Sequence, residues 1–403
     1  MANVENRHSI VQYVEETGES FEDRPLGAVD ALVCAQLAYF KWGRVPAIIN
    51  GSDDARQLAL ASLCAEQHRE CLMDVERNRA LKLRLLTAVS ASRRFRDVTI
   101  IDHVDHLDEL AVKQFSATAF LLPEGSVFVA FRGTDSTLTG WRENFMLAFS
   151  DEVPAQAAAR EHLERIAAMT DGPIYVGGHS KGGNLAVYSA ATCSLEAFMR
   201  IAGVFDFDGP GFADSTFRRA DVGRLDLIAT KIVPVDSAVG VLLESLPADK
   251  VVKSTASGFE QHDLFSWVVR RGDFVYAEKT SEFSRRIHDT AADWSGRYTP
   301  CQLEHFADAL FGMFNAMGVM KLTGLSDAET AARDAFLDGI DPSERALFSD
   351  MVEQLVRSSI DSFDLAASTG EFIEKELLPQ NLTPQERFDE LADKLDAFDE
   401  RYR

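Results

Sequence analysis

"IYVGGHSKGGNLAVYSAA", residues 174–191, sets a serine between glycines inside an otherwise apolar run. Ile-Tyr-Val-Gly upstream has the character of a short buried strand, and Asn-Leu-Ala-Val-Tyr-Ser-Ala-Ala downstream that of a buried helix. Gly178-His179-Ser180-Lys181-Gly182 meets the pattern G-x-S-x-G. That pattern describes a sharp strand-to-helix turn that holds its serine in strained backbone with Oγ exposed. Gly178, Gly182 and Gly183 supply room for a helix to start hard against the strand. The pentapeptide alone arises by chance; the strand before it and the helix after it are the context the turn requires.

Outward from this turn, the pattern repeats. "QFSATAFLL", the turn "PEGS" and "VFVAF" predict two strands joined as a hairpin. Strand-like runs recur at 174–177, 201–207 and 227–233, with helical patterns between them at 154–169 and 183–194. Such alternation predicts a parallel or mixed sheet with helices on its faces. "GAVDALVCAQLAYFKW" carries apolar residues at 32, 33, 36, 37 and 40, the spacing of an amphipathic helix, and 54–93 also reads as helical. Residues 1–26 are polar and expected to be loose. Beyond about 280 the strand signals stop; "CQLEHFADALFGMFNAMGVMKL", 343–365 and 384–402 read as helices, and the tail is acidic. The expected organisation is therefore a loose segment 1–26, an α/β domain 27–285 and a helical region 286–403.

Composition narrows the classes. The 403 residues, 46% hydrophobic, suffice for a full core. No run of 18 uncharged apolar residues occurs, and the first twenty residues lack the apolar centre of a signal peptide. Five scattered cysteines without CxxC spacing read as reduced thiols of a cytoplasmic protein, with neither a disulfide framework nor a metal site. The formal net charge of −23 argues against nucleic acid and anionic membrane surfaces as partners.

A serine hydroxyl attacks only when a base takes its proton, so a histidine is required. With this turn the chain order is serine, acid, histidine. Of nine histidines only 262, 288 and 305 follow Ser180. His288 and His305 lie in helical patterns; His262 lies in the loop "TASGFEQHDLFSW", after the strand-like "KVVKS". For the acid, Asp236 in "TKIVPVDSAVG" is the first choice, because it follows the later strand. Asp208 in "VFDFDGPGF" competes with it, and Asp206 alternates with core residues. Oxyanion donors are expected from the amide of Lys181 and from Thr134, where "VFVAF" breaks at Arg132-Gly133. Arg132 reads as an orienting ion-pair partner.

"FRGTDSTLTGWRENF" followed by "GGHSKGGNLA" resembles the class 3 lipase family within the α/β-hydrolase superfamily, and in particular a bacterial lipase-like branch of unknown function. "FDGPGF", "IVPVDSAVG" and "QHDLFSW" are similar to that branch as well. The resemblance spans roughly 27–275 and implies an α/β-hydrolase fold. It assigns the nucleophile to Ser180, the base to His262 and the oxyanion amides to Thr134 and Lys181. Lipases of this kind carry an apolar residue after the serine; Lys181 departs from that, as a cation facing an anionic substrate or solvent. In "LTGWRENFMLAF", Trp141, Phe145 and Phe149 share one helical face, which the resemblance makes a lid and plain patterning makes a helix packed on the sheet. The stripe Phe306, Leu310, Phe314, Met317 reads as core or subunit interface.

The function expected is a serine hydrolase cleaving carboxylic esters of acyl chains, esterase or lipase, through a Ser-His-Asp triad and an acyl-enzyme. A thioesterase or acyltransferase built on the same residues is the alternative within enzymes, and a non-catalytic scaffold the alternative outside them. The expected partner is an acyl ester or lipid substrate, with no cofactor or metal and no stable membrane insertion. A homo-oligomer through the C-terminal helices is compatible with this reading.

Overall fold

The computed structural model describes residues 8–45, 48, 58–73, 78–318 and 326–362. The chain divides into two compact units: Met1–Asp135 with Asp151–Arg285, and Ser136–Ser150 with Arg286–Arg403.

The first unit is built on β1 (Thr99–Asp108), β2 (Lys113–Leu121), β3 (Val127–Phe131), β4 (Ile174–His179), β5 (Ile201–Phe207), β6 (Ala229–Pro234) and β7 (Lys250–Val252). A small ribbon, β8 (Val269–Arg270) with β9 (Asp273–Phe274), precedes β10 (Tyr276–Ala277), which closes the sheet edge. The eight-stranded order is β1-β2-β3-β4-β5-β6-β7-β10. Pairing is antiparallel from β1 to β3, parallel from β3 to β7 and antiparallel again at β10. This is the mostly parallel, helix-flanked sheet expected of an α/β-hydrolase fold.

Strand side chains alternate between two apolar layers. Phe128 and Ala130 of β3 join the core under α1 (Ile10–Glu16) and α2 (Ala28–Leu37). Val127, Val129 and Phe131 join the core under α3 (Pro154–Met169) and α4 (Lys181–Thr192). Two expectations change here. First, α2 is not amphipathic: every residue from Val29 to Leu37 is buried, because the helix is covered by the sheet on one side and by α1 on the other. Second, the segment before residue 27 is not loose over 8–26. Ile10, Val11, Tyr13 and Val14 are buried. The Asp30 carboxylate accepts from Tyr13 Oη at 2.6 Å and from Arg94 Nε and Nη2 at 2.6 and 2.7 Å, all within the core. Arg94 Nη1 also donates to the carbonyls of Ser20 and Arg24, and His8 O accepts from Val269 N.

Strand β1 carries no apolar alternation, since Asp102, His103, Asp105 and His106 interrupt it, and only pairing with β2 makes it a strand.

In the second unit, the helix Leu138–Met146 packs with Pro300–Met317, and not on a sheet. Phe145 lies 5.6 Å from Phe306, 6.2 Å from Trp294 and 6.4 Å from Phe311, ring centre to ring centre. Phe306, Phe314 and Met317 are buried in the same cluster, so the apolar stripe of Pro300–Met317 is core of this unit. Segment 136–149 therefore belongs with the C-terminal helices and not with the 27–285 block. The expected helix 384–402 lies outside the described residues. No helix among the described residues is long and apolar enough to cross a membrane.

Candidate active site

The parallel register lines up three strand ends. Phe131 of β3 pairs with Gly178 of β4, and His179 pairs with Phe207 of β5. The residues that leave these strands next are therefore neighbours: Arg132, Ser180 and Asp208. Ser180 stands between β4 and α4 with φ 57° and ψ −132°, a conformation that L-residues rarely adopt. Its N–H donates to Phe207 O at 3.0 Å, and its own carbonyl accepts from Gly183 N at 2.8 Å.

The glycines earn this turn its tightness. A Cβ on Gly182 would collide with the Phe131 carbonyl, one on Gly178 with the Gly182 carbonyl, and one on Gly183 with the Asp206 carboxylate. Gly182→Ala is expected to destabilise the protein by about 1–3 kcal/mol, or more if β3 cannot move. Gly18→Ala, where a Cβ meets nothing within 4 Å, is expected to leave the urea midpoint in place. Comparable midpoints for the two variants would show that the turn tolerates a side chain.

His262 ends the 3₁₀ turn Gly258–His262. Its Nδ1 lies 2.6 Å from Asp208 Oδ2. A carboxylate only accepts, so Nδ1 carries the proton and Nε2 keeps its lone pair. Asp208 is fully buried, has φ 51°, and accepts at Oδ1 from Ser237 Oγ at 2.5 Å and from Gly240 N at 3.1 Å.

The carboxylate that reaches the histidine is thus that of Asp208; the first choice, Asp236, does not occupy this place. Asp236 sits two residues beyond the end of β6, one strand further from Ser180. Its Oδ2 accepts from Gly258 N at 2.8 Å and Gln261 Nε2 at 2.7 Å, and its N–H donates to Gln261 Oε1 at 2.8 Å. It braces the turn that carries His262. Asp206 is buried against Lys231 Nζ at 3.0 Å and accepts from Gly209 N at 2.8 Å, fixing the loop after β5. Burial pushes the Asp206 carboxyl up despite Lys231.

Lys181 is a second correction. Its side chain faces neither substrate nor solvent: it is buried, and Nζ donates to the Gln114 carbonyl and to Gln114 Oε1 at 2.7 and 2.8 Å. Thr134 follows Gly133, where an added Cβ would stand 3.2 Å from Ser180 Cβ and 2.8 Å from His179 O, so the strand-end loop presses on the serine turn. Arg132 is buried with Asp105 at 3.0 Å and Asp135 at 3.4 Å, an ion-pair anchor for that loop. His288 lies in the helix Glu282–Ser295, and His305 is exposed within Pro300–Met317.

Two residues absent from the expected site stand inside it. The rings of His179 and His262 lie 4.3 Å apart at 39°. Tyr39, just past α2, hydrogen-bonds His179 Nδ1 through its hydroxyl at 2.8 Å. Burial holds His179 well below the usual histidine range, and repulsion whenever His262 is protonated lowers it further, while burial pushes the Tyr39 hydroxyl up. The x of G-x-S-x-G was the only local signal for His179, and Tyr39 had none. Among the described residues no group of three His, Cys, Asp or Glu is arranged to hold a metal ion.

The Mbeg1-like family model matches residues 89–312. Among solved structures, Rhizomucor miehei lipase in its propeptide complex is similar at 17% identity and a TM-score of 0.30, over 42% of this chain and 59% of that one. A mutant form of MDLA from Penicillium cyclopium is similar at 12% identity and a TM-score of 0.36, over 61% and 82%. A triacylglycerol lipase from Penicillium expansum is similar at 15% identity and a TM-score of 0.28, over 39% and 70%. No curated protein matches the sequence.

Proposed function

We propose that this chain, which belongs to the Mbeg1-like family, a lipase-like family, is a serine hydrolase that cleaves carboxylic esters of acyl chains. The observation that carries the reading is Ser180, a non-glycine residue at φ 57° where β4 turns into α4, beside the strand end that supplies Asp208 to His262. In this reading Ser180 Oγ attacks the ester carbonyl while His262 Nε2 takes its proton. The amides of Thr134 and Lys181 receive the developing oxyanion. The same proton then passes to the departing alcohol, leaving an acyl-enzyme. Water, deprotonated by His262, releases the acid and restores the serine.

Asp208 holds the imidazole in the tautomer that leaves Nε2 free. Phe259, 64% exposed, stands three residues before His262 and packs edge-on against Phe283 at 5.1 Å. An apolar rim at that point suits an acyl chain better than a charged head group.

The test is labelling of the folded protein with a fluorophosphonate, with the adduct located by mass spectrometry, beside a panel of p-nitrophenyl esters and acyl-CoAs. The expected result is one adduct, on Ser180, and turnover of esters. Folded protein that takes no label and turns over nothing in the panel would favour the scaffold reading.

A further inference from the structure

Tyr39 and His179 take no part in these proton transfers, yet they are packed in a row against His262. His179 is 7% exposed, and its ring covers the face of the histidine that the reaction needs in one orientation. Tyr39 grips it from the far side, with ring centres 5.9 Å apart and the hydroxyl on Nδ1. The Tyr39 hydroxyl has room to reach it because residue 133 is glycine: it occupies the space that a side chain there would need. The His262 ring is hydrogen-bonded at Nδ1 to Asp208, a bond on one edge that leaves the tilt of its face to be set by what packs against it.

We propose that His179 is a positioning residue: its ring is the platform that keeps the His262 imidazole aimed at Ser180 and screens the His262–Asp208 hydrogen bond from water, with Tyr39 locking the platform. The inference rests on the reading of His262 as general base. Staying uncharged suits His179 to the task, because a second cation with its ring centre 4.3 Å from that of His262 would oppose the imidazolium that forms during proton transfer. A flat neutral ring at that distance opposes nothing and offers its π-face.

The experiment compares wild type, His179→Ala, His179→Phe and Ser180→Ala on a soluble p-nitrophenyl ester, with kcat and KM separated. It also follows the downfield proton resonance of the His262–Asp208 hydrogen bond. His179→Ala is expected to lower kcat by about 10–100-fold, the order of loss that misplacing a catalytic group produces, with KM within about twofold. Its downfield resonance is expected to be lost to exchange with water. His179→Phe keeps a ring in place and is expected to recover kcat to within about fivefold of wild type and to keep the resonance. Wild-type kcat in His179→Ala, or a His179→Phe as impaired as the alanine variant, overturns the platform. If His179→Ala does not fold, His179→Phe decides alone: recovered kcat and a kept resonance support the platform, and their loss overturns it. Hydrolysis that persists in Ser180→Ala would break the underlying reading instead, and in that case the resonance still reports on the platform.

Discussion

Ser180→Ala is expected to abolish ester hydrolysis, lowering kcat by about 10⁶, and to leave the fold standing. The expected result has two halves. Chemically, no other hydroxyl on this turn occupies the strand-end position from which an acyl-enzyme would form. Structurally, the turn is held by backbone, through Ser180 N to Phe207 O and Gly183 N to Ser180 O, and both bonds survive the substitution. Alanine meets the same positive φ that serine already accepts, so the change in urea midpoint is expected to be small. Kinetics on a p-nitrophenyl ester and a denaturation curve from one preparation check both halves. Wild-type turnover by the alanine variant would sink the proposed mechanism.

The second large effect separates two aspartates. Asp208→Asn is expected to cost about 10⁴ in kcat. An asparagine that turns its NH₂ toward His262 pushes the ring into the other tautomer, placing the proton on Nε2 and taking the base from Ser180. The opposite flip points that NH₂ at Gly240 N and leaves an amide unpaired. Asp236→Asn keeps an acceptor for Gly258 N or Gln261 Nε2 and is expected to cost only about 1 kcal/mol of stability, with a few-fold loss of turnover. The comparison is made at one pH with both variants shown to be folded. Collapse in Asp236→Asn with near-normal turnover in Asp208→Asn would reverse the assignment.

What the sequence revealed follows from how local each feature is. The strand, glycines, serine and helix of 174–191 are contiguous, and the steric demand that packs them together acts within a few residues. The identity of the acid is not local. It depends on β5 lying directly beside β4, with His179 opposite Phe207, and nearness in sequence to the histidine loop says nothing about that. Lys181 misled for a related reason: its burial is decided by Gln114, on a strand 67 positions earlier. β1 was missed because its alternation is polar, and with it went Asp105, the counter-ion of Arg132. Tyr39 lies inside the helical segment read from the sequence but outside its apolar stripe, and no spacing rule ties it to a histidine 140 residues on.

The second unit is discontinuous in the chain, and that has a consequence during synthesis. Phe145 and Phe149 leave the ribosome with Ser136–Ser150, whereas Trp294, Phe306 and Phe311, which pack with Phe145, come only after the whole of 151–285. At about 5–20 residues per second, that interval lasts roughly seven to thirty seconds. Through it the nascent chain carries a pair of aromatic rings whose final neighbours do not yet exist. An internal stretch, set early in the message and satisfied late, thus presents the kind of apolar surface that a chaperone covers.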